Sequence, residues 1–168
     1  MLKVGLISDT HSYLDSKIPD VFKDVDEIWH AGDFGNLSLI NALKTLKPLY
    51  GVYGNIDGQE IRAEFPLNLE LQREGLKILM THIGGYPGNY DPKARRKIEE
   101  VKPDIFICGH SHILKVIRDT KYNMMAMNPG AAGVHGFHQV KTVLRFTLSN
   151  GKIGHLEAVE LGKRGAIA

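Results

Sequence analysis

Five apolar, strand-like runs in this chain each end in residues that bind metals well. Lys3–Ser8 leads into Asp9-Thr10-His11, Glu27–Ala31 into Gly32-Asp33, and Leu49–Tyr53 into Gly54-Asn55-Ile56-Asp57. Leu76–Thr81 leads into His82, and Asp104–Cys108 into Gly109-His110-Ser111-His112. Residues at the C-terminal ends of neighbouring strands converge on one crevice, where open α/β sheets place their ligands. With Asp57 set aside, they offer two carboxylates, one amide and four imidazoles, close to the number of donors that two cations need.

Two divalent cations held about 3.5–4 Å apart repel, so an anion must lie between them. Asp33 suits that bridge, giving one oxygen to each ion, and Gly32 before it lets the backbone come close. Asp9 and His11, two residues apart on an extended segment, point the same way and chelate one ion. His110 and His112 share that spacing, but in a loop they are also free to face different ions. Asn55 adds a ligand without adding charge, and His82 completes the set. Mixed nitrogen and oxygen donors without thiolate disfavour structural zinc and iron–sulfur chemistry. They also differ from all-oxygen calcium or magnesium cages. Two divalent ions per chain are expected, manganese first, with iron, zinc, nickel and cobalt as alternatives. Any one of these pieces alone reads as a loop-terminal polar group satisfying nearby backbone donors. Five of them at five strand ends point to metal.

The elements that must position these residues follow from the rest of the chain. At 168 residues the expectation is one domain over 1–168, with 162–168 as a frayed tail. Hydrophobic content of 43% and charged content of 24% suit a soluble globular protein. A net charge of +2 with scattered Lys and Arg argues against a dedicated polyanion binder. Arg95-Arg96-Lys97 and Lys163-Arg164 read as solvated faces. One cysteine excludes an internal disulfide framework and suits a reducing cytoplasm. Met1-Leu2-Lys3 passes directly into a strand, which leaves no room for a leader, and the longest apolar runs fall far short of a membrane span.

The first third reads as strand, loop and helix in alternation, with helices over 18–25 and 37–46. Pro19 is tolerated in the first turn of one helix; Asn36 or Ser38 caps the other and Pro48 stops it. Such alternation implies parallel β-α-β units. After residue 64, Leu67–Gln72 alternates at period two and turns at Arg73-Glu74-Gly75 into Leu76–Thr81. Residues 84–89 read as loop, and Asp91-Pro92 opens a helix to about Val101. Strands follow over 104–108, 115–119, 124–128, 140–148 and 153–160, the last two joined by the turn Ser149-Asn150-Gly151-Lys152. Strands outnumber helices, and alternating runs mix with fully apolar ones. The expected fold is α/β, a four-layer α-β-β-α sandwich of two mixed sheets flanked by helices.

Asp9-x-His11, Gly32-Asp33, Gly54-Asn55-x-Asp57, His82 and Gly109-His110-x-His112 together resemble the signature of the calcineurin-like metallophosphoesterases, over residues 3 to about 148. The short chain without a cap resembles the bacterial and archaeal phosphodiesterase branch. The resemblance implies that Asp9, His11, Asp33 and His112 hold one ion and Asp33, Asn55, His82 and His110 the other. It assigns catalytic roles to Asp33, Asn55 and His110. It further implies a phosphodiesterase acting by direct attack of a metal-bridging hydroxide, with a shallow site and broad substrate acceptance. Many members carry His between the Asn and Asp of the third motif, where it aids the leaving oxygen. Here that residue is Ile56, which donates no proton, and Asp57 is left only to order the loop.

Asn128-Pro129-Gly130-Ala131-Ala132-Gly133 resembles a family loop that approaches the metals, and reads equally as a tight turn. Asn128, His135 and His138 are therefore candidate substrate contacts. His30, inside a strand, reads as a supporting or core histidine, and Cys108 as inert. Ser8, Ser12 and Ser111 read as partners of ligands, and Met124, Met125 and Met127 as core. Neither Walker nor Rossmann glycine spacing occurs. The partner expected is a small phosphoester, with nucleic acid only as a substrate; no membrane is expected and self-association is left open. A binding scaffold on the same fold, as in the small retromer subunit, and a phosphomonoesterase are the alternatives.

Overall fold

The computed structural model describes residues 1–165. Strands β1 (Leu2–Ile7), β2 (Glu27–His30) and β3 (Leu49–Gly51) are parallel neighbours, separated in sequence by α1 (Ile18–Val21) and α2 (Leu37–Leu46). After α3 (Gln59–Glu64) come β4 (Asn68–Arg73) and β5 (Leu76–Thr81), then a small hairpin of β6 (Gly85–Tyr86) and β7 (Asn89–Tyr90). α4 (Pro92–Val101) leads to β8 (Ile105–Ile107), β9 (Leu114–Asp119) and β10 (Met124–Pro129). The long β11 (Val140–Ser149) and β12 (Lys152–Lys163) end the chain. One five-stranded sheet has the order β12-β11-β1-β2-β3 and the other β4-β5-β8-β10-β9, each mixing parallel and antiparallel pairs.

Alternate residues of the central strands serve two different cores, which is why these runs are apolar on both faces. Trp29, Ile78, Met80, Ile105 and Ile107 face inward between the sheets. Ile28 faces outward, packed with Ile18 of α1, Leu39, Ile40 and Leu43 of α2 and Ile61 of α3. Leu79 and Phe106 face the other way, onto Ala94 and Ile98 of α4. Helix, sheet, sheet, helix is the expected sandwich, and this is an α/β protein of four layers. No described helix is long and apolar enough to cross a membrane.

The helix caps follow the sequence. Asn36 Oδ1 accepts from Leu39 N at 2.9 Å, so Asn36 rather than Ser38 caps α2. Asp91 caps α4 through Lys93 N and Ala94 N, with Pro92 in the first turn. Asn150 and Gly151 both take positive φ, as a two-residue hairpin turn requires. Other boundaries differ from expectation. α1 stops at Val21, because Phe22 onward turns to feed β2. α3 was not anticipated: six residues hold too little apolar periodicity to stand out. The loop over 84–89 begins and ends in the β6–β7 hairpin. The frayed tail over 162–168 is corrected at its start. Gly162 and Lys163 continue β12 against Lys141 and Val140, and Arg164 N donates to Gln139 O at 2.9 Å. Residues 166–168 of that tail lie outside the described residues.

Candidate metal centre

Five of the seven expected ligands sit on strained backbone. Asp9, His11, Asp33, His110 and His112 have φ of +53, +44, +60, +70 and +63°. Non-glycine residues seldom adopt this region, at about 1–3 kcal/mol each, and then where the surroundings over-determine it. Here Asp9 N donates to Gly32 O at 3.0 Å, His11 N to Asp33 O at 3.0 Å and Gly109 N to His82 O at 3.0 Å. The loops after β1 and β2 are thereby laced together on one sheet and those after β5 and β8 on the other, and His82 Nδ1 on Ala31 O and His110 N on Asp9 Oδ2 join the two pairs. Two glycines permit the close approach. A Cβ on Gly54 would strike the Asp33 carboxylate, and one on Gly109 would strike Ser8 and Asp9.

The seven side chains gather into two clusters. Asp9, His11 and His112 offer ligand atoms within 4.8 Å of one another, and so do Asp33, His82 and His110. His112 Nε2 lies 3.2 Å from Asp9 Oδ1. Asp33 Oδ2 lies 3.3 Å from His11 Nε2 and 3.2 Å from His82 Nε2, so one oxygen faces both clusters. The other oxygen, Oδ1, accepts from Ile56 N at 3.1 Å. Asn55 Oδ1 lies 3.1 Å from His110 Nδ1, placing the amide at the second cluster.

Three of the five buried polar atoms without a partner among the described residues are ones a cation would satisfy. Asp9 Oδ2 accepts from Ser8 Oγ at 2.7 Å and His110 N at 3.1 Å, which turns Oδ1 inward. His82 Nδ1 donates to Ala31 O at 2.7 Å; a carbonyl only accepts, so the neutral ring keeps its lone pair on Nε2. Asp9 Oδ1, His11 Nε2 and His82 Nε2 are buried with no hydrogen-bond partner. An unpartnered buried polar atom costs about 1–3 kcal/mol, more when charged. Carboxylate oxygens and imidazole lone pairs converging in this way fit divalent ions. Burial works to raise the Asp33 carboxyl, yet the His11 and His82 nitrogens and Ile56 N–H outweigh it and hold the group well below the usual carboxylate range. Burial works to lower His82, and the Asp33 and Asp9 carboxylates reverse that and raise it.

Behind the ligands stands a layer of neutral and capping groups. His30 is fully buried; its Nδ1 accepts from Gly32 N at 3.0 Å and its Nε2 meets Thr10 Oγ1 at 3.0 Å. Burial pushes its pKa down to about 3, so it is a neutral prop. Asp57 accepts from Phe34 N at 3.2 Å, Gly35 N at 2.9 Å and Gly54 N at 2.8 Å, tying the Asp33 loop to the Asn55 loop. Asn128 is buried and donates to Gly109 O at 2.9 Å and Ser111 Oγ at 3.1 Å, while its Oδ1 accepts from Gly130 N at 2.9 Å. Its amide is thus committed to holding the His110 loop. Burial raises the Cys108 thiol to about 12, which leaves it inert.

His135 and His138 brace the first cluster. The His135 ring stacks on His11 at 4.6 Å between centroids, and His138 meets His112 edge-on at 5.1 Å. Over them opens a cleft of about 490 Å³ that also touches Asp33, Asn55 and Ile56. Phe137, missed in the sequence, stands fully exposed at its lip. Only its place between two histidines of one loop could have drawn attention to it.

Comparison with known proteins agrees with this geometry. Residues 2–151 match the calcineurin-like phosphoesterase superfamily domain. A protein of Methanothermobacter thermautotrophicus, named a probable metallophosphoesterase, is 32% identical over 136 residues, covering 78% of this chain and 77% of that one. A solved archaeal phosphodiesterase superposes with a TM-score of 0.74 at 23% identity, over 95% of this chain and 99% of the other. Wild-type Vps29 of Entamoeba histolytica, solved with zinc, gives 0.72 at 18% identity, over 96% and 100%. With its fold, its ligand clusters and a family match over most of its length, the chain belongs to the calcineurin-like phosphoesterase superfamily.

Proposed function

We propose that the protein is a phosphodiesterase working with two divalent ions, manganese foremost, in a reducing cytoplasmic setting. Asp9, His11, Asp33 and His112 would hold one ion, and Asp33, Asn55, His82 and His110 the other. The observation that supports this best is the single Asp33 oxygen facing both ligand clusters. When bound, such ions make water acidic enough to supply a nucleophile at neutral pH and neutralise charge on a phosphoryl group. The chain's own residues supply the rest. Asp9, Asp33 and His82 are buried and fix the floor, while Asn55 and His110 are exposed and are the ligands a phosphoryl oxygen meets on arrival. Ser8, Ala31 and Asp57 orient Asp9, His82 and the Asn55 loop, so little reorganisation is needed as the substrate binds.

A non-catalytic scaffold is the second reading, and the Vps29 likeness favours it. The intact ligand set supports the enzyme instead. With manganese added, bis(4-nitrophenyl) phosphate should be cleaved faster than 4-nitrophenyl phosphate. The reverse order would make the protein a monoesterase. Failure to cleave either, in protein shown to bind metal, would favour the scaffold.

A further inference from the structure

A second groove, of about 640 Å³, starts at Asn55 and His82 and runs out between α3 and α4. Tyr53, Leu67, Ile83 and Ala94 give it an apolar lining, and Arg62, Lys93 and Arg96 give it three cations. The acid in this groove, Asp91, is committed to capping α4 through Lys93 N at 3.0 Å and Ala94 N at 3.3 Å. Of the acids on α3 and α4, Glu64 pairs with Lys44, and Glu100 with Lys97 at 3.5 Å. Among the described residues, no carboxylate forms an ion pair with Arg62, Lys93 or Arg96. Within the basic run Arg95-Arg96-Lys97, Arg95 and Arg96 are exposed, Arg96 lines the groove, and Lys97 pairs with Glu100.

Arg62 is held ready. Its Nε donates to Asp57 O at 2.6 Å and its Nη2 to Asn55 O at 3.3 Å, and its guanidinium lies 4.6 Å over the Tyr53 ring. A guanidinium has five N–H donors, so three of them stay available beside the metal centre. A fixed, planar cation is well suited to a phosphate.

We infer that the groove between α3 and α4 binds a second phosphate on the non-reacting arm of the substrate, with the apolar lining against its sugar and base. This deepens the phosphodiesterase reading and rests on it. The preferred substrates are then nucleotide-like diesters carrying more than one phosphate. Unneutralised cations beside a cationic site would favour such multiply charged ligands over singly charged ones.

The test compares two pairs of ligands on manganese-loaded protein. Calorimetry should give adenosine 3′,5′-bisphosphate about tenfold tighter binding than adenosine 5′-monophosphate, the scale of one charge-assisted contact. The 4-nitrophenyl ester of thymidine 5′-phosphate should gain by a similar factor in kcat/KM when a 3′-phosphate is added, through KM. Both ratios should fall toward one in Arg96→Gln and in Lys93→Gln, and survive in Lys152→Gln, which removes a charge from the distant β11–β12 turn. Ratios near one in the wild type, or ratios that survive Arg96→Gln and Lys93→Gln together, would overturn the inference. If the bisphosphate preference holds while neither ester is cleaved, the groove stands and the phosphodiesterase reading falls.

Discussion

Ile56 lies at the edge of the metal centre, about half exposed, with its backbone N–H on Asp33 and its side chain in the cleft shared by His135 and His138. An alkyl group there gives no proton to a departing alkoxide, so rates should depend steeply on leaving-group acidity. Aryl diesters should be cleaved much faster than alkyl ones, and Ile56→His should speed alkyl substrates most, by up to about 10²–10⁴-fold. His138 is a poor substitute: burial lowers its pKa, and its Nε2 donates to Gly133 O at 2.8 Å. Equal rates for alkyl and aryl diesters, with chemistry rate-limiting, would direct attention to His135 and refute the assignment of an empty role to position 56. His30 gives a prediction in pH. Its pKa falls from 6.5 to about 3 in the folded protein, so below pH 6.5 the unfolded chain takes up a proton that the folded one refuses. The stabilisation is full above pH 6.5 and is lost as the pH falls toward 3, with a slope of up to about 1.4 kcal/mol per pH unit. In chelator, His30→Gln should therefore lose stability less steeply than wild type between pH 6 and 4, as read from denaturant melts; identical slopes would remove His30 from the account.

At the scale of elements, the site depends on loops that are pinned to one another. Asp57 joins three N–H groups from two of them, so Asp57→Ala should leave those donors unpartnered. A loss of about 2–3 kcal/mol is expected, along with weaker metal binding, because Asn55 and Asp33 lose their common anchor. Unchanged manganese affinity would mean that the loops hold their shape without it. The same loops explain what the sequence disclosed. Runs such as Leu76–Thr81 and Ile105–Ile107 are legible because both faces are buried, and each leads to a candidate ligand, so strands and candidate ligands could be read together. The role of Asp57 as an anchor was legible too, once Ile56 was seen to stand where its usual imidazole partner would be. What stayed hidden depends on contacts between distant residues. The Asn128 amide could have faced metals or loop, and only the fold shows it holding Gly109 and Ser111. α3 is fixed by Ile61 and Phe65 packing under α2 rather than by any helical pattern of its own. The continuation of β12 through Lys163 depends on pairing with β11.

For the whole molecule, two sheets stacked face to face place the ends of five strands at one edge, and there the Asp9 and Asp33 carboxylates both face His82 Nε2, at 3.8 and 3.2 Å. Without cations those carboxylates repel, so metal should stabilise the entire sandwich. Ligand linkage gives about 2.7 kcal/mol at a hundredfold excess over the dissociation constant, or about 5–10 °C in Tm for a chain of this size. A chelator that leaves the Tm unchanged would mean that the clusters bind metal weakly or not at all. Ligand imidazoles must be neutral, so manganese binding should also weaken below about pH 6. The central claim, that two ions act together through Asp33, is tested most directly by titrating metal-free protein with manganese while following bound metal and cleavage of bis(4-nitrophenyl) phosphate in the same samples. Activity should rise chiefly with the second equivalent and saturate at two ions per chain. Saturation of binding and activity at one equivalent, or two bound ions without cleavage, would contradict it.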